Sequence, residues 1–565
     1  MKSRPFRMRK TPFMMVTCLG SWLALVAHYD PLLAPLFDSI HSPAGRGLLV
    51  LALLWINLVW FYGMFHLAGV LFSLFSPRLP SAPLGGPAPG PVAVLHTICD
   101  DFDERAARAC ADQDYPNVRV FLLDDSSQRD VRLRVDAFAA AHPGRCFVVR
   151  RPNRDGFKAG NLNHALRTAA RECTHFAIVD ADEVLPRDFL QRSLGCFALD
   201  DRIGFVQGNH RYSRTPVSRF ADDMSRGVDL HWGLFLPARN AGGFVMFYGH
   251  GAVIRRDVWE RVGGFPEMVS EDIAFAARAR EHGFFGVFQR DLVAEESFPA
   301  SYRQFLRREL KVLRGTLEFL IGPAHTFLRS RVVSWVEKVD CVASCLVLFL
   351  PVVFLVFLLV ADVTLPWLIA GERVLKLFGS TASPVTTASN LEALDAGLRH
   401  LWTWDFYLLT LFTIVSPLIY QALAFVRSPR AVARYTLQST AVFLSIIPAL
   451  ALGTVSALRR RVAVFHSTGN AQAAPGEDSR WGAAVSIALG TVLFVAAILT
   501  SNLALLTVAV SFAMHALFMS RHWDTRAVRL ASLVPFLFFI AVFGAIPLVA
   551  LGVAGAMAAA MPAHH

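Results

Sequence analysis

Several uninterrupted apolar runs, each near the ~18–20 residues a helix needs to cross a bilayer, bracket a polar block at residues 91–320. A chain built this way folds as a membrane-integrated protein, with a soluble domain held between two membrane clusters. The composition agrees, with 54% hydrophobic and 18% charged residues, against about 25% charged in ordinary soluble domains. The formal net charge is +11. The basic residues lie mainly beside the apolar runs, as cytoplasmic flanks of spanning segments do, so no nucleic-acid partner is expected. None of the eight cysteines forms a CxxC pair. They read as reduced thiols, because a disulfide framework needs an oxidising compartment.

Residues 1–76 are expected to form an N-terminal transmembrane hairpin, with crossings near 12–28 and 47–75. The first run lacks a small-residue cleavage site and reads as an anchor. Residues 77–91 are a Pro/Gly-rich linker. From residue 92 the pattern changes. Short β-prone runs at 92–98, 118–123, 147–150 and 176–179 alternate with helix-like stretches at 104–111, 131–141 and 159–170. That alternation predicts a parallel α/β sheet over 92–300. Residues 301–334 carry leucines 306, 310, 313, 317 and 320 at helical spacing, with Arg303, Arg307, Lys311 and Arg314 on another face. This predicts amphipathic helices lying in the membrane interface; the alternative is a solvated helix over the soluble core. Residues 335–565 form a second membrane region, with crossings near 339–361, 404–426, 482–499, 502–519 and 528–551, about seven in the whole chain. The stretch 435–458 contains Pro448 and has basic clusters at both ends. A full crossing would place one cluster outside, so a re-entrant or interfacial element is expected, leaving loop 462–480 in the cytosol.

The chemistry lies in the polar block. Ligands of parallel α/β sheets bind at the carboxyl ends of the strands, and two acidic motifs fall there. Asp124-Asp125-Ser126-Ser127 suits a base or ribose, or is a plain turn. Asp180-Ala181-Asp182 offers two carboxylates to a hard divalent cation and a diphosphate. Asp155 to Asn163 supplies small residues, Lys158 for a phosphate, and Asn161 and Asn163 for sugar or backbone hydrogen bonds, at the start of a helix that favours anions. Ser270-Glu271-Asp272 offers a general base, with Ser270 as the helix cap.

The order and spacing of these motifs resemble the membrane-embedded family 2 glycosyltransferases, the group of cellulose, hyaluronan and chitin synthases. The resemblance implies a GT-A-type, Rossmann-like α/β domain in the cytosol, inserted between N- and C-terminal transmembrane clusters and using a UDP-sugar. Asp124 and Asp125 would hold the uridine, with Lys158 near the phosphates and Asn161 beside it. Asp180 would serve the diphosphate and, with Asp182, a Mg2+ or Mn2+ ion. Asp272, with Glu271 beside it, matches the catalytic base. Phe247 to Gly251 resembles the acceptor segment and places Gly249 and His250 against the glycan. The Gln-x-x-Arg-Trp motif falls near 308–312, where Lys311 takes the arginine position and Val312 the tryptophan; a register over 304–308 lacks the tryptophan too. Lys311 and Arg314 are left for the diphosphate and acceptor, and the loss of stacking puts processivity in question. Residues 464–470 resemble the gating loop through Phe465, His466 and Thr468, while Ser467 and Asn470 depart from it.

The function so implied is inverting transfer of a hexosyl unit, first of all from UDP-glucose, to a growing β-glycan at the bacterial inner membrane, coupled to export. Its partners would be the donor, the glycan acceptor, membrane lipid and an export subunit. Non-processive transfer to a lipid or short acceptor is the alternative. A transporter with a retired catalytic domain is disfavoured, because every expected carboxylate is present and the apolar runs hold few charges.

Overall fold

The computed structural model describes residues 11–33, 43–76, 90–213, 217–359, 429–460, 478–500, 503–520 and 523–535, with a few single positions between them. Its soluble part is built on seven strands: β1 (Val92–Ile98), β2 (Val118–Asp124), β3 (Cys146–Val149), β4 (His175–Asp180), β5 (Ile203–Tyr212), β6 (Ala252–Arg255) and β7 (Phe285–Glu296). They form one sheet in the order β3-β2-β1-β4-β6-β5-β7. Pairs β1–β2, β1–β4 and β2–β3 are parallel, as the alternating pattern predicts.

The sheet as a whole is mixed, which corrects the purely parallel expectation. β6 runs antiparallel to both β4 and β5. The reason is the path of the chain. β5 ends on the same edge as β4, and residues 217–251 lie along that edge before β6 turns back down. The segment 247–251 is thereby delivered beside the end of β4. Successive strand residues point to opposite faces, and both faces are covered. Leu95, Phe121, Leu162, Ile178 and Phe275 pack on one side, and Val94, Leu122, Val179 and Leu190 on the other.

Among the described residues, four helices are long and apolar enough to cross a membrane, over Arg46–Leu74, Trp335–Phe357, Ala433–Arg459 and Gly482–Leu499. Shorter apolar helices cover Phe13–Tyr29 and Leu505–Met519. The stretch at 435–458 departs from expectation. It lies inside one unbroken helix, Pro429–Arg460, with Pro448 in its interior. Proline is tolerated in apolar helices whose neighbours satisfy the freed carbonyl, and this helix packs on others through Ile446, Ile447 and Leu450. The expected crossing at 404–426, most of 528–551 and the gating-like loop with Phe465, His466 and Thr468 lie outside the described residues.

The amphipathic helix is also resolved. It runs over Tyr302–Ile321 and is capped by Ser301, whose hydroxyl accepts from the Gln304 amide. Its apolar stripe is covered by protein: Leu306 and Leu313 pack with Tyr435, Ala441 and Val442 of the 429–460 helix. The Tyr302 hydroxyl bonds Ser445 Oγ and His515 Nδ1, both at 2.8 Å. All eight cysteines are free thiols, as expected.

A second tie joins the membrane helix Trp335–Leu346 to the segment ahead of β6. Arg239 Nε donates to Asp340 Oδ2 at 3.0 Å, and Arg239 Nη2 donates to Ser344 Oγ at 2.7 Å. The Phe244 amide donates to the same Asp340 oxygen at 2.8 Å.

Candidate active site

The carboxyl ends of β1, β2 and β4 gather the acidic motifs into one cleft. At the end of β2, Asp124 accepts from Arg150 Nε at 2.7 Å and from the Ser126 amide at 3.0 Å. Its side chain is fully enclosed, so it braces the loop, and Asp125 is the reachable member of the pair. Asp125 is held in turn by Arg151 through Nε at 3.0 Å and Nη2 at 2.7 Å. Arg151 also donates to the carbonyls of Asp155 and Phe157, which links the first motif to the start of the Lys158 helix.

That helix spans Phe157–Arg167 and begins after Gly156, whose φ of 70° turns the chain into it. Lys158, in its first turn, pairs with Asp180 Oδ1. Thr97 Oγ1 donates to the same oxygen at 3.2 Å. Burial alone would raise the Asp180 pKa, but Lys158 and His250 hold it well below the usual carboxylate range. Asp182 goes the other way. Burial, then repulsion from Asp180 and Glu296, pushes it up to about 7. A pocket that forces a carboxylate to carry a proton near neutral pH is one that a divalent cation would relieve. The Asp180–Asp182 pair therefore fits a hard metal ion.

At the far side of the cleft, Glu271 and Asp272 open the helix Glu271–Glu281. Asp272 Oδ2 lies 3.4 Å from where a β-carbon on Gly249 would sit, so this carboxylate faces the 247–251 segment. Burial and mutual repulsion raise Glu271, and burial raises Asp272, above ordinary carboxylates. Lys158 and Lys311 both act on Glu271, Asp272 and Asp180, which places these three carboxylates and two lysines around one space. Arg314 makes no ion pair with these carboxylates among the described residues.

Three expectations change. Asn161 is buried and donates to the Leu123 carbonyl at 3.2 Å, so of its two expected uses the backbone bond is the one realised. Ser270 makes no side-chain cap; its hydroxyl lies against Gly315 of the 302–321 helix instead. Arg308, in the 304–308 register, stacks on Phe298 and Phe305 and pairs with Glu309, whereas Lys311 acts on Asp180, Glu271 and Asp272. Val312, in the tryptophan position, is 44% exposed.

Asn163 proves to be a structural clamp. Its amide nitrogen donates to the Phe265 carbonyl at 2.9 Å, and its oxygen accepts from the Phe265 amide at 2.9 Å and from Trp259 Nε1 at 3.2 Å. Asn163→Ala is expected to cost about 2–4 kcal/mol, because buried partners are left unpaired. A thermal melt in detergent checks this, and an unchanged midpoint would remove the clamp.

Glu183 and His210, which motif reading passed over, lie beside His250. Glu183, fully buried, accepts from His210 Nε2 at 2.7 Å and from the Gly251 amide at 3.1 Å. His250 Nδ1 is 3.3 Å from Glu183 and His250 Nε2 is 3.7 Å from Glu296. Burial would lower the His250 pKa, but the carboxylates of Glu183, Asp180 and Glu296 push it up to about 10. Thus His250, within the 247–251 segment, faces Glu183, Asp180 and Glu296.

The model of the family described as glycosyltransferase like family 2 matches residues 104–315. The chain carries a family 2 glycosyltransferase domain. The matched span of this glycosyltransferase domain includes every motif from Asp124 to Arg314. Cellulose synthase 1 catalytic subunit [UDP-forming] of Komagataeibacter xylinus is 29% identical over 246 residues, 40% of this chain and 31% of that protein. The cellulose synthase catalytic subunit [UDP-forming] of Xanthomonas axonopodis pv. citri is 32% identical over 205 residues, 34% of this chain and 27% of that protein. The chain thus spans about a third or less of the length of these curated relatives. A solved mannosyltransferase of Pyrobaculum calidifontis, in complex with GDP-Man and Mn2+, is similar with a TM-score of 0.40 and 19% identity, covering 66% of this chain and 97% of that one.

Proposed function

We propose that this chain is a membrane-bound, inverting glycosyltransferase that moves a hexosyl unit, with UDP-glucose the first donor to test, onto a hydroxyl of a growing β-glycan. The observation that carries the reading is Lys158. One half-buried ammonium pairs with Asp180 and also acts on Glu271 and Asp272, so a leaving diphosphate and an attacking hydroxyl would meet within its reach. Asp125 would hold the uridine. Lys158 and Lys311 would offset phosphate charge. A Mg2+ or Mn2+ ion held by Asp180 and Asp182 would neutralise charge on the departing diphosphate. Asp272 would take the acceptor hydroxyl proton as the bond from the sugar to UDP breaks and the new glycosidic bond forms on the opposite face. Gly249 leaves room for the acceptor, and His250 lines the floor beneath it. The setting would be a bacterial inner membrane, with the domain in the cytosol and the glycan leaving outward, with room for an export subunit.

Non-processive transfer to a lipid or short acceptor is the second reading, and the exposed Val312 favours it. The test is turnover of the full chain in nanodiscs with labelled UDP-sugars and Mg2+ or Mn2+, with products sized. High-mass material from UDP-glucose is expected. Label confined to lipid or short oligomers would establish the second reading, and no transfer from any UDP-sugar would overturn both.

The raised base gives a pH signature. Only ionised Asp272 accepts a proton, so kcat/KM should keep rising with pH well above the ordinary carboxylate value of about 4. Glu271→Gln should leave that rising limb nearly in place, because burial, and not charge on Glu271, raises Asp272. A profile already flat from pH 5 upward in the unaltered protein would contradict the assignment.

A further inference from the structure

We propose that Glu183, His210 and His250 bind a divalent cation of the zinc class, at a site separate from the Asp180–Asp182 pair. The inference does not depend on the glycosyl-transfer reading. The three side chains offer two imidazole nitrogens and a carboxylate, all within 4.8 Å of one another. Two imidazoles with one carboxylate form a donor set suited to zinc.

The spacing supports shared ligation. Two ligands bound tetrahedrally at 2.0–2.1 Å from one zinc ion stand about 3.3 Å apart. Glu183 Oε2 and His250 Nδ1 are 3.3 Å apart, yet His250 Nδ1 has no hydrogen-bond partner. The 2.7 Å bond from His210 Nε2 to Glu183 Oε1 is the contact that the ion would replace. His210 is 1% exposed and Glu183 is wholly buried, and the His210 Nδ1 atom is also unpartnered.

The surroundings are those of a built site. The Gly251 and Asp180 amides donate to Glu183 Oε2 at 3.1 and 3.3 Å and fix the carboxylate. Glu296 lies 3.7 Å from His250 Nε2, the carboxylate–imidazole arrangement that orients metal-bound histidines. Trp232 closes one wall, with its ring centroid 4.2 Å from that of His210. Gly251, at φ 58°, keeps the cradle open: a β-carbon there would overlap both His210 and Glu183. Ligation takes the imidazole nitrogen in its unprotonated form, so any proton on it leaves to solvent as the ion binds. The bound ion would staple the turn after β4, strand β5 and the segment before β6 beneath the acceptor side of the cleft.

The experiment uses the full chain in nanodiscs, stripped with chelator and dialysed against Zn2+, with bound metal read by elemental mass spectrometry. One zinc per chain is expected in the unaltered protein and in Asp182→Asn. His250→Gln is expected to weaken zinc binding at least about 100-fold. No bound zinc in the unaltered protein, its loss in Asp182→Asn, or its full retention in His250→Gln would each overturn the proposal. In case His250→Gln fails to fold, Co2+ is added to the unaltered protein as well. Visible absorption of nitrogen- and oxygen-ligated Co2+ is expected, and a spectrum identical to aqueous Co2+ would overturn the site.

Discussion

Asp272→Asn is expected to lower kcat by about 10³-fold, the middle of the range for losing a positioned general base, or about 4 kcal/mol of barrier. UDP binding should stay nearly unchanged. The substitution keeps the shape of the side chain and the acceptor oxygen that receives the Ile273 amide at 2.8 Å, so the helix start is preserved and only basicity is lost. Two observations single out Asp272 over its neighbour. Its Oδ2 faces Gly249 across the cleft, and it is partly exposed where Glu271 is 7% exposed. The check is steady-state transfer alongside UDP binding by calorimetry. Retained turnover would remove Asp272 as the base; equal loss of binding and turnover would mean that the cleft had collapsed.

The second large effect concerns folding. Arg239→Met is expected to destabilise the protein by about 3–5 kcal/mol, the cost of leaving a buried charge without its partner. Asp340 is fully enclosed, and Arg239 is its only ion-pair partner among the described residues. The double substitution Arg239→Met with Asp340→Leu should recover part of the loss, because a buried pair is often replaceable by apolar groups. Recovery should stop short, since the Phe244 amide then loses its acceptor, a penalty of about 1–3 kcal/mol. Thermal melts of the three proteins in one detergent decide this, and a single variant as stable as the parent would show the pair to be dispensable.

Much of the domain could be read from the chain because its signals are local. The run 92–98 matches β1 residue for residue, and the Asp124 and Asp180 motifs lie at strand ends as expected. What escaped is non-local. β6 is a four-residue strand whose direction depends on where residues 213–251 travel, and no periodicity records that. Glu183, His210 and His250 are separated by 27 and 40 residues, with no motif spacing, and only the mixed sheet brings them together. Asn161 and Asn163 resemble ligand contacts in a sequence; burial assigns them to the backbone. The proline and basic ends around 435–458 suggested a re-entrant or interfacial element, and the structure has one continuous helix there.

That continuous helix has a mechanical consequence. Tyr302 meets Ser445 and Leu310 meets Gly453, the same offset in sequence at both points, so the two helices run in the same direction where they touch. Farther along the Tyr302–Ile321 helix, Gly315 presses on Ser270, and the Glu318 carboxylate accepts from the Val269 amide at 3.1 Å. Near the start of the Pro429–Arg460 helix, Arg434 grips Asp222 and Asp223. Packed side chains therefore link the apolar helix Ala433–Arg459 to the turn that carries Glu271 and Asp272. The carboxylates are braced from outside their own domain as well as from within it.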